Sequence, residues 1–125
     1  MGYSMHQTAG QFFIRAQDHA AALTALREER ARKRFPYGSD RRWDTLKEAL
    51  VDLGWWPTIN DDGHVDRLHF QADSAGDDAR LFATLAPYVA KGSFLEMQGE
   101  DGETWRWVFD GKSCRQVKPS VTWPE

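Results

Sequence analysis

The stretch that decides the fold is Ser93-Phe94-Leu95-Glu96-Met97-Gln98-Gly99-Glu100-Asp101-Gly102-Glu103-Thr104-Trp105-Arg106-Trp107-Val108-Phe109. Folded back around a three-residue loop, Glu100-Asp101-Gly102, it sets Leu95 against Trp107, Met97 against Trp105 and Glu96 against Arg106. Apolar then faces apolar and acid faces base, a match that a two-residue turn would lose. Trp105, Trp107 and Phe109 fall on one strand face, the face such a hairpin would bury. A second Asp-Gly step, Asp110-Gly111, returns the chain through Ser113–Val117, with Cys114 about opposite Trp107. Gly102 and Gly111 supply the positive φ these turns require.

Upstream of this meander the period changes. Leu81, Phe82, Leu85, Tyr88 and Val89 recur at helical spacing, with Asp77 or Asp78 as cap. Pro87 inside that stripe kinks the helix or ends its regular part early, and Gly92 completes the stop. Before it, Trp55–Ile59 and Val65–Ala72 read as hairpin arms around Asp62-Gly63. A two-residue turn there aligns Ile59, Pro57 and Trp55 with Asp66, Leu68 and Phe70. Pro57 cannot donate to a ladder, which puts its arm at an edge or a bulge. Trp43, Leu46, Leu50 and Leu53 mark a second helix capped by Ser39 or Asp40 and stopped by Gly54. A first helix of about fifteen residues starts at Asp18 and is closed by Phe35-Pro36-Tyr37-Gly38. Gln11–Ala16 reads as a strand, with Phe12 and Ile14 on one side. Residues 1–8 carry no pattern and read as a tail, Met1-Gly2-Tyr3-Ser4 before the second methionine, Met5, being an appended stretch. The expectation is one α+β domain, residues 9–125, in the order β-α-α-β-β-α-β-β-β, a mainly antiparallel sheet packed against helices.

At 125 residues and 41% hydrophobic content, the chain can bury about two-thirds of its extended surface. It has no apolar run of about 20 residues for a membrane span and no charged start with an apolar h-region for secretion. His6 stands where a myristoylation motif needs Ser or Thr. One cysteine, Cys114, excludes an internal disulfide framework and a cysteine-based zinc cluster. The net charge of −3 hides a segregation. Residues 1–42 hold eight Lys/Arg and four Asp/Glu, which is +4, whereas residues 43–125 hold eight and fifteen, which is −7. Arg27, Arg30, Arg32, Lys33, Arg34, Arg41 and Arg42 supply most of the positive excess, a pattern compatible with a nucleic-acid site. The plainer reading is a solvated helix end, diluted by Glu28, Glu29 and Asp40.

No motif demands catalysis. His6, His19, His64 and His69 form no i, i+4 pair, and His64 and His69 point to opposite faces of one arm, so no metal site is expected. Asp61-Asp62-Gly63 and Asp77-Asp78 lack EF-hand spacing and serve as turn and cap. Gly99-Glu100-Asp101-Gly102 puts acids where a phosphate nest needs bare amides. Cys114 reads as a small buried hydrophobe, and pairs such as Glu100/Glu103 and Asp61/Asp66 as solvated turn acids. No cofactor is expected. The surplus is aromatic, six tryptophans in all. Most of it reads as core, but consecutive Trp55 and Trp56 cannot both point inward from a strand. One of them must be partly exposed near Asp61 and Asp62, as anchoring aromatics are at protein interfaces.

The run from Ser93 to Phe109, with Asp77-Asp78 ahead of Leu81-Phe82 and Ala86-Pro87, resembles the C-terminal signature of a group of small uncharacterised bacterial α+β proteins. The likeness covers roughly the last 70 residues. It implies a bacterial, cytoplasmic protein and carries no catalytic residues; residues 27–42 lie outside it. The leading expectation is a non-enzymatic protein-binding module, inhibitor- or immunity-like, meeting a basic partner protein through Trp56, Asp61, Asp62, Glu100 and Asp101. A nucleic-acid-binding protein using the basic segment 27–42 is the first alternative. A small-ligand-binding protein or enzyme with a pocket between sheet and helices is the second. Homodimerisation through a sheet edge fits all three.

Overall fold

The computed structural model describes residues 4–35, 39–71 and 77–119. It runs β1 (Met5–Gln11), α1 (His19–Arg32), α2 (Leu46–Asp52), β2 (Trp55–Ile59), β3 (Val65–Phe70), α3 (Asp78–Leu85), β4 (Phe94–Gly99), β5 (Thr104–Phe109) and β6 (Cys114–Val117). This is the expected α+β order. β1, β4, β5 and β6 form an antiparallel sheet in the order β1-β4-β5-β6, and β2 with β3 forms a separate two-stranded sheet. The central register is the expected one: Leu95 lies opposite Trp107, Met97 opposite Trp105 and Glu96 opposite Arg106. On one face of the sheet, Leu95, Met97, Trp105, Trp107 and Phe109 are buried in the core that includes Leu23, Leu26, Leu50, Leu81, Phe82 and Leu85 of the helices. Phe82 touches Trp55, Trp107 and Phe109 with ring centroids 5.1–5.7 Å apart, binding both sheets to α3.

Three elements differ from expectation. The first strand is not Gln11–Ala16 but Met5–Gln11, so most of the supposed tail pairs with β4, from Met5 opposite Gly99 to Gln11 opposite Phe94. Beyond Gln11 the alternation survives, with Phe12 and Ile14 buried, but only Ile14 pairs, bridging Val65 and Val89. α2 begins later than expected. Thr45 caps it, its hydroxyl accepting the Glu48 N–H at 3.1 Å, while Ser39 and Asp40 lie in an extended approach. Trp43 is fully buried from that approach, its indole N–H donating to Asp52. In β6, Cys114 lies opposite Phe109 rather than Trp107. The Asp110 carboxylate accepts the N–H groups of Lys112 and Ser113, which winds a four-residue loop where two residues were expected. Elsewhere α3 stops at Leu85 and Pro87 continues it only as a 3-10 turn, as read. The stop at Pro36–Gly38 and the end of the second hairpin arm at Ala72 lie outside the described residues.

The β2–β3 hairpin pairs Trp55 with Phe70 and Pro57 with Leu68 as expected, but a bulge sets Ile59 against Val65 instead of Asp66. The Leu68 carbonyl turns away from β2, towards β1, so the ladder bonds to β2 come from Arg67 and His69. Pro57, opposite Leu68, therefore owes the ladder no N–H. α2 packs against β2, along which Trp55 is buried and Trp56, pointing to the opposite face of the strand, is exposed.

Candidate functional site

β1 and β3 are edge strands of two different sheets, and they face each other. They join at one end, where Ile14 and Val65 exchange both main-chain hydrogen bonds at 2.9 Å. Farther along they part, and Gln7 spans the opening. Its Nε2 donates to the Leu68 carbonyl at 3.0 Å, and its Oε1 accepts the Phe70 N–H at 2.8 Å. A strand lying parallel to β3 would make these same two bonds across His69, so the Gln7 amide stands in for the N–H and C=O of one strand residue. Gly10 leaves the room for it, because a Cβ there would lie 2.8 Å from Gln7 Nε2.

Between these two closures lies a cleft of about 270 Å³. Buried Phe12 and Leu68 form its apolar floor, Thr8, Ala9 and Gly10 the β1 wall, and the side chains of Arg67 and His69 the β3 wall. Both side chains are exposed, and neither has a hydrogen-bond or ion-pair partner among the described residues. Among the described residues no carboxylate lines the cleft. Glu96, next to the Thr8 bulge, is already engaged. It accepts from Thr8 Oγ1 at 2.7 Å and from Arg106 Nε at 2.8 Å, and these bonds, that of Thr8 first, hold its pKa below the usual range. Across the hairpin from His69 stands Trp56, 42% exposed, with Lys47 Nζ 4.5 Å from its ring centroid. Cleft, His69, Trp56 and Lys47 thus lie together, with Arg67 and Lys47 as their cations in a chain of net charge −3.

The residues singled out from sequence are not brought together. Trp55 is the buried member of its pair and Trp56 the exposed one, but the neighbour of Trp56 is Lys47 rather than an acid. Asp61 and Asp62 lie in the β2–β3 turn, whose His64 Nδ1 accepts the Ala16 N–H. Glu100 sits at the opposite end of β1, where its carboxylate accepts the Ser4 N–H and its own N–H donates to the Ser4 carbonyl; exposed Asp101 follows in the same turn. The acids therefore flank the chain from Ser4 to Ala16 at its two ends and form no single patch with Trp56.

The basic segment is mostly occupied by the protein itself. Arg27 donates to the Trp43 carbonyl, and Arg30 stacks 3.6 Å from the centre of the Trp43 ring while donating to the Arg41 carbonyl. Arg32 pairs with Glu29, Arg34 with Asp40 and Arg42 with Asp44. Of the seven cations, only Lys33 and Arg41 have side chains without a partner among the described residues.

Of the titratable groups, Cys114 is half-buried, and burial followed by the nearby Asp110 charge pushes its thiol up to about 12. It is protonated at neutral pH and a poor nucleophile. Burial first, and then the electrostatic influence of nearby His64, lowers the His19 pKa. Asp78 is buried in the first turn of α3, its Oδ1 accepting the Trp55 indole N–H at 3.2 Å. Among the described residues no three His, Cys, Asp or Glu side chains gather to hold a metal ion.

Sequence reasoning missed Gln7, Gly10, Arg67 and His69. One local signal was present: a glycine inside a strand marks a close approach, and Gly10 is such a glycine. Comparison of the chain with protein-family models, with curated proteins and with solved structures finds no match.

Proposed function

We propose that this chain is a non-enzymatic protein-binding module that takes an extended segment of its partner along the cleft between β1 and β3. The observation that carries the reading is the pair of strand edges held apart by a side-chain amide. Main-chain groups of β3 at Leu68 and Phe70 are bonded to the end of Gln7 rather than to another strand. Main-chain edges of this kind recognise peptides by strand addition. Trp56 on the same face supplies an aromatic anchor beside the cleft. An inhibitor- or immunity-type role fits such a module, with the binding surface moved from the acidic turns to the cleft.

The two alternatives find less support. Five of the seven basic side chains between 27 and 42 are held by carbonyls or acids of the protein, which leaves little free charge for phosphate. The space between sheet and helices is filled by Trp55, Phe82 and Phe109, each at most 1% exposed.

A photo-crosslinking residue in place of Ala9, compared with one in place of Glu28 on α1, tests the proposal in a bacterial lysate with and without nuclease. A protein crosslinked from position 9 and not from 28, unaffected by nuclease, is the expected result. Nuclease-sensitive crosslinking from position 28 alone would move the function to the basic segment.

A further inference from the structure

We infer that the segment taken up by the cleft is acidic, with carboxylates alternating with apolar side chains. The inference rests on the strand-addition reading and adds the chemistry of the occupant. Arg67 and His69 are two residues apart on β3 and so point to one face, while Leu68 between them points to the floor. A strand laid beside them alternates in the same way. Side chains at positions i and i+2 meet Arg67 and His69, and the one between them meets Phe12 and Leu68. The upper positions face the Arg67 guanidinium and the His69 imidazole, neither with a partner among the described residues, with Lys47 further along the same face and no carboxylate among the described lining residues. Seven other arginines, Arg15, Arg27, Arg32, Arg34, Arg42, Arg80 and Arg106, each have an acid within 4 Å, whereas Arg67 has none among the described residues. A guanidinium and an imidazole N–H donor over an apolar floor select a partner of acid–apolar–acid pattern, and the guanidinium repels its basic counterpart.

The test uses isotope-labelled full chain and three capped hexapeptides, Glu-Val repeated three times and its Lys-Val and Gln-Val counterparts, with an oligothymidylate as a fourth probe. Amide shifts at Thr8, Ala9, Gly10 and Leu68 and ring shifts of His69 report the cleft. The Glu-Val peptide is expected to move them with the lowest dissociation constant of the four. Arg67→Glu, an exposed substitution, is expected to weaken that peptide about fivefold and to strengthen the Lys-Val peptide instead. Unchanged Gln7 side-chain amide signals will show that the variant keeps the cleft. Equal binding of the Gln-Val and Glu-Val peptides overturns the acidic preference and leaves strand addition standing. No cleft shift with any peptide, or shifts with the oligothymidylate alone, overturns both.

Discussion

Asp78 offers a test whose sign is opposite to that of an ordinary surface acid. Its carboxyl is buried at the start of α3. Burial, reduced by the Trp55 hydrogen bond and reinforced by Asp77, raises its pKa from 3.8 to about 6. At about 1.4 kcal/mol for each pKa step, the folded state carries a penalty of about 3 kcal/mol once Asp78 is ionised. Above about pH 6 the group is charged in folded and unfolded chains alike, and the whole penalty applies. As pH falls from 6 to 3.8 the folded protein takes up the proton first and the penalty disappears. Asp78→Asn keeps an oxygen for the indole N–H and removes the charge, but it leaves a buried NH2 that costs about 1 kcal/mol. The variant should therefore be more stable than the parent by about 2 kcal/mol at pH 7.5 and less stable by about 0.5 kcal/mol at pH 4, where part of the parent's penalty remains. Urea titrations of both proteins at the two pH values measure this. Carboxylates common to both proteins cancel in the difference. A difference that stays the same at pH 4 and pH 7.5 would refute the assignment of a buried, proton-accepting Asp78.

Gly10→Ala places a Cβ against the Gln7 amide and should detach it from β3, with a loss of about 1–2 kcal/mol and faster hydrogen exchange at the Phe70 amide. Unchanged exchange at Phe70 would mean that Gln7 does not hold the cleft. Thr45→Ala removes the cap of α2 and should lower stability by about 1 kcal/mol, read by thermal unfolding; Ser39→Ala and Asp40→Ala should not reproduce a helix-cap loss. Cys114, with its thiol pushed up to about 12, should react with an alkylating reagent at pH 8 far more slowly than a free thiol and reach full rate only on unfolding. Fast labelling of the folded chain would contradict that assignment.

What the sequence revealed follows the range of the forces involved. The β4–β5 register was readable because every cross-strand pair carries its own chemistry, down to Glu96 opposite Arg106. The early end of α3 was readable because Pro87 acts through its own ring. β1 was not. Gln7, Ala9, Gly10 and Gln11 are not strong strand formers, and they form a strand because the edge of β4, about 90 residues later, offers a ladder. The same distance hid the cleft. Gln7 and Leu68 are 61 residues apart, and neither Arg67 nor His69 sits in any motif. The acidic patch failed for a related reason: turns at 61–62 and 100–101 look alike in sequence, but the topology puts them at opposite ends of β1.

An unpaired strand edge is a hazard for any folded chain, and proteins usually blunt it with a bulge, a charge or a cover. Here both edges at the split are blunted. β1 bulges at Thr8, whose hydroxyl is tied to Glu96, and β3 is capped at Leu68 and Phe70 by the amide of Gln7. A simple seal would be better made by closing the ladder, since a continuous sheet satisfies more main-chain groups than one side chain does. The pairing at Ile14 and Val65 has already brought the two strands into position for it. Instead, Gly10 gives up its side chain so that a glutamine can hold the strands apart, and the opening so made has an apolar floor with Arg67 and His69, unpartnered among the described residues, on its wall. A side-chain amide held by two hydrogen bonds is also the element an incoming main chain could replace bond for bond. That exchange leaves no polar group of β3 unsatisfied before or after binding, which is why strand addition accounts for Gln7, Gly10, Arg67 and His69 together, whereas a seal accounts for the first two alone.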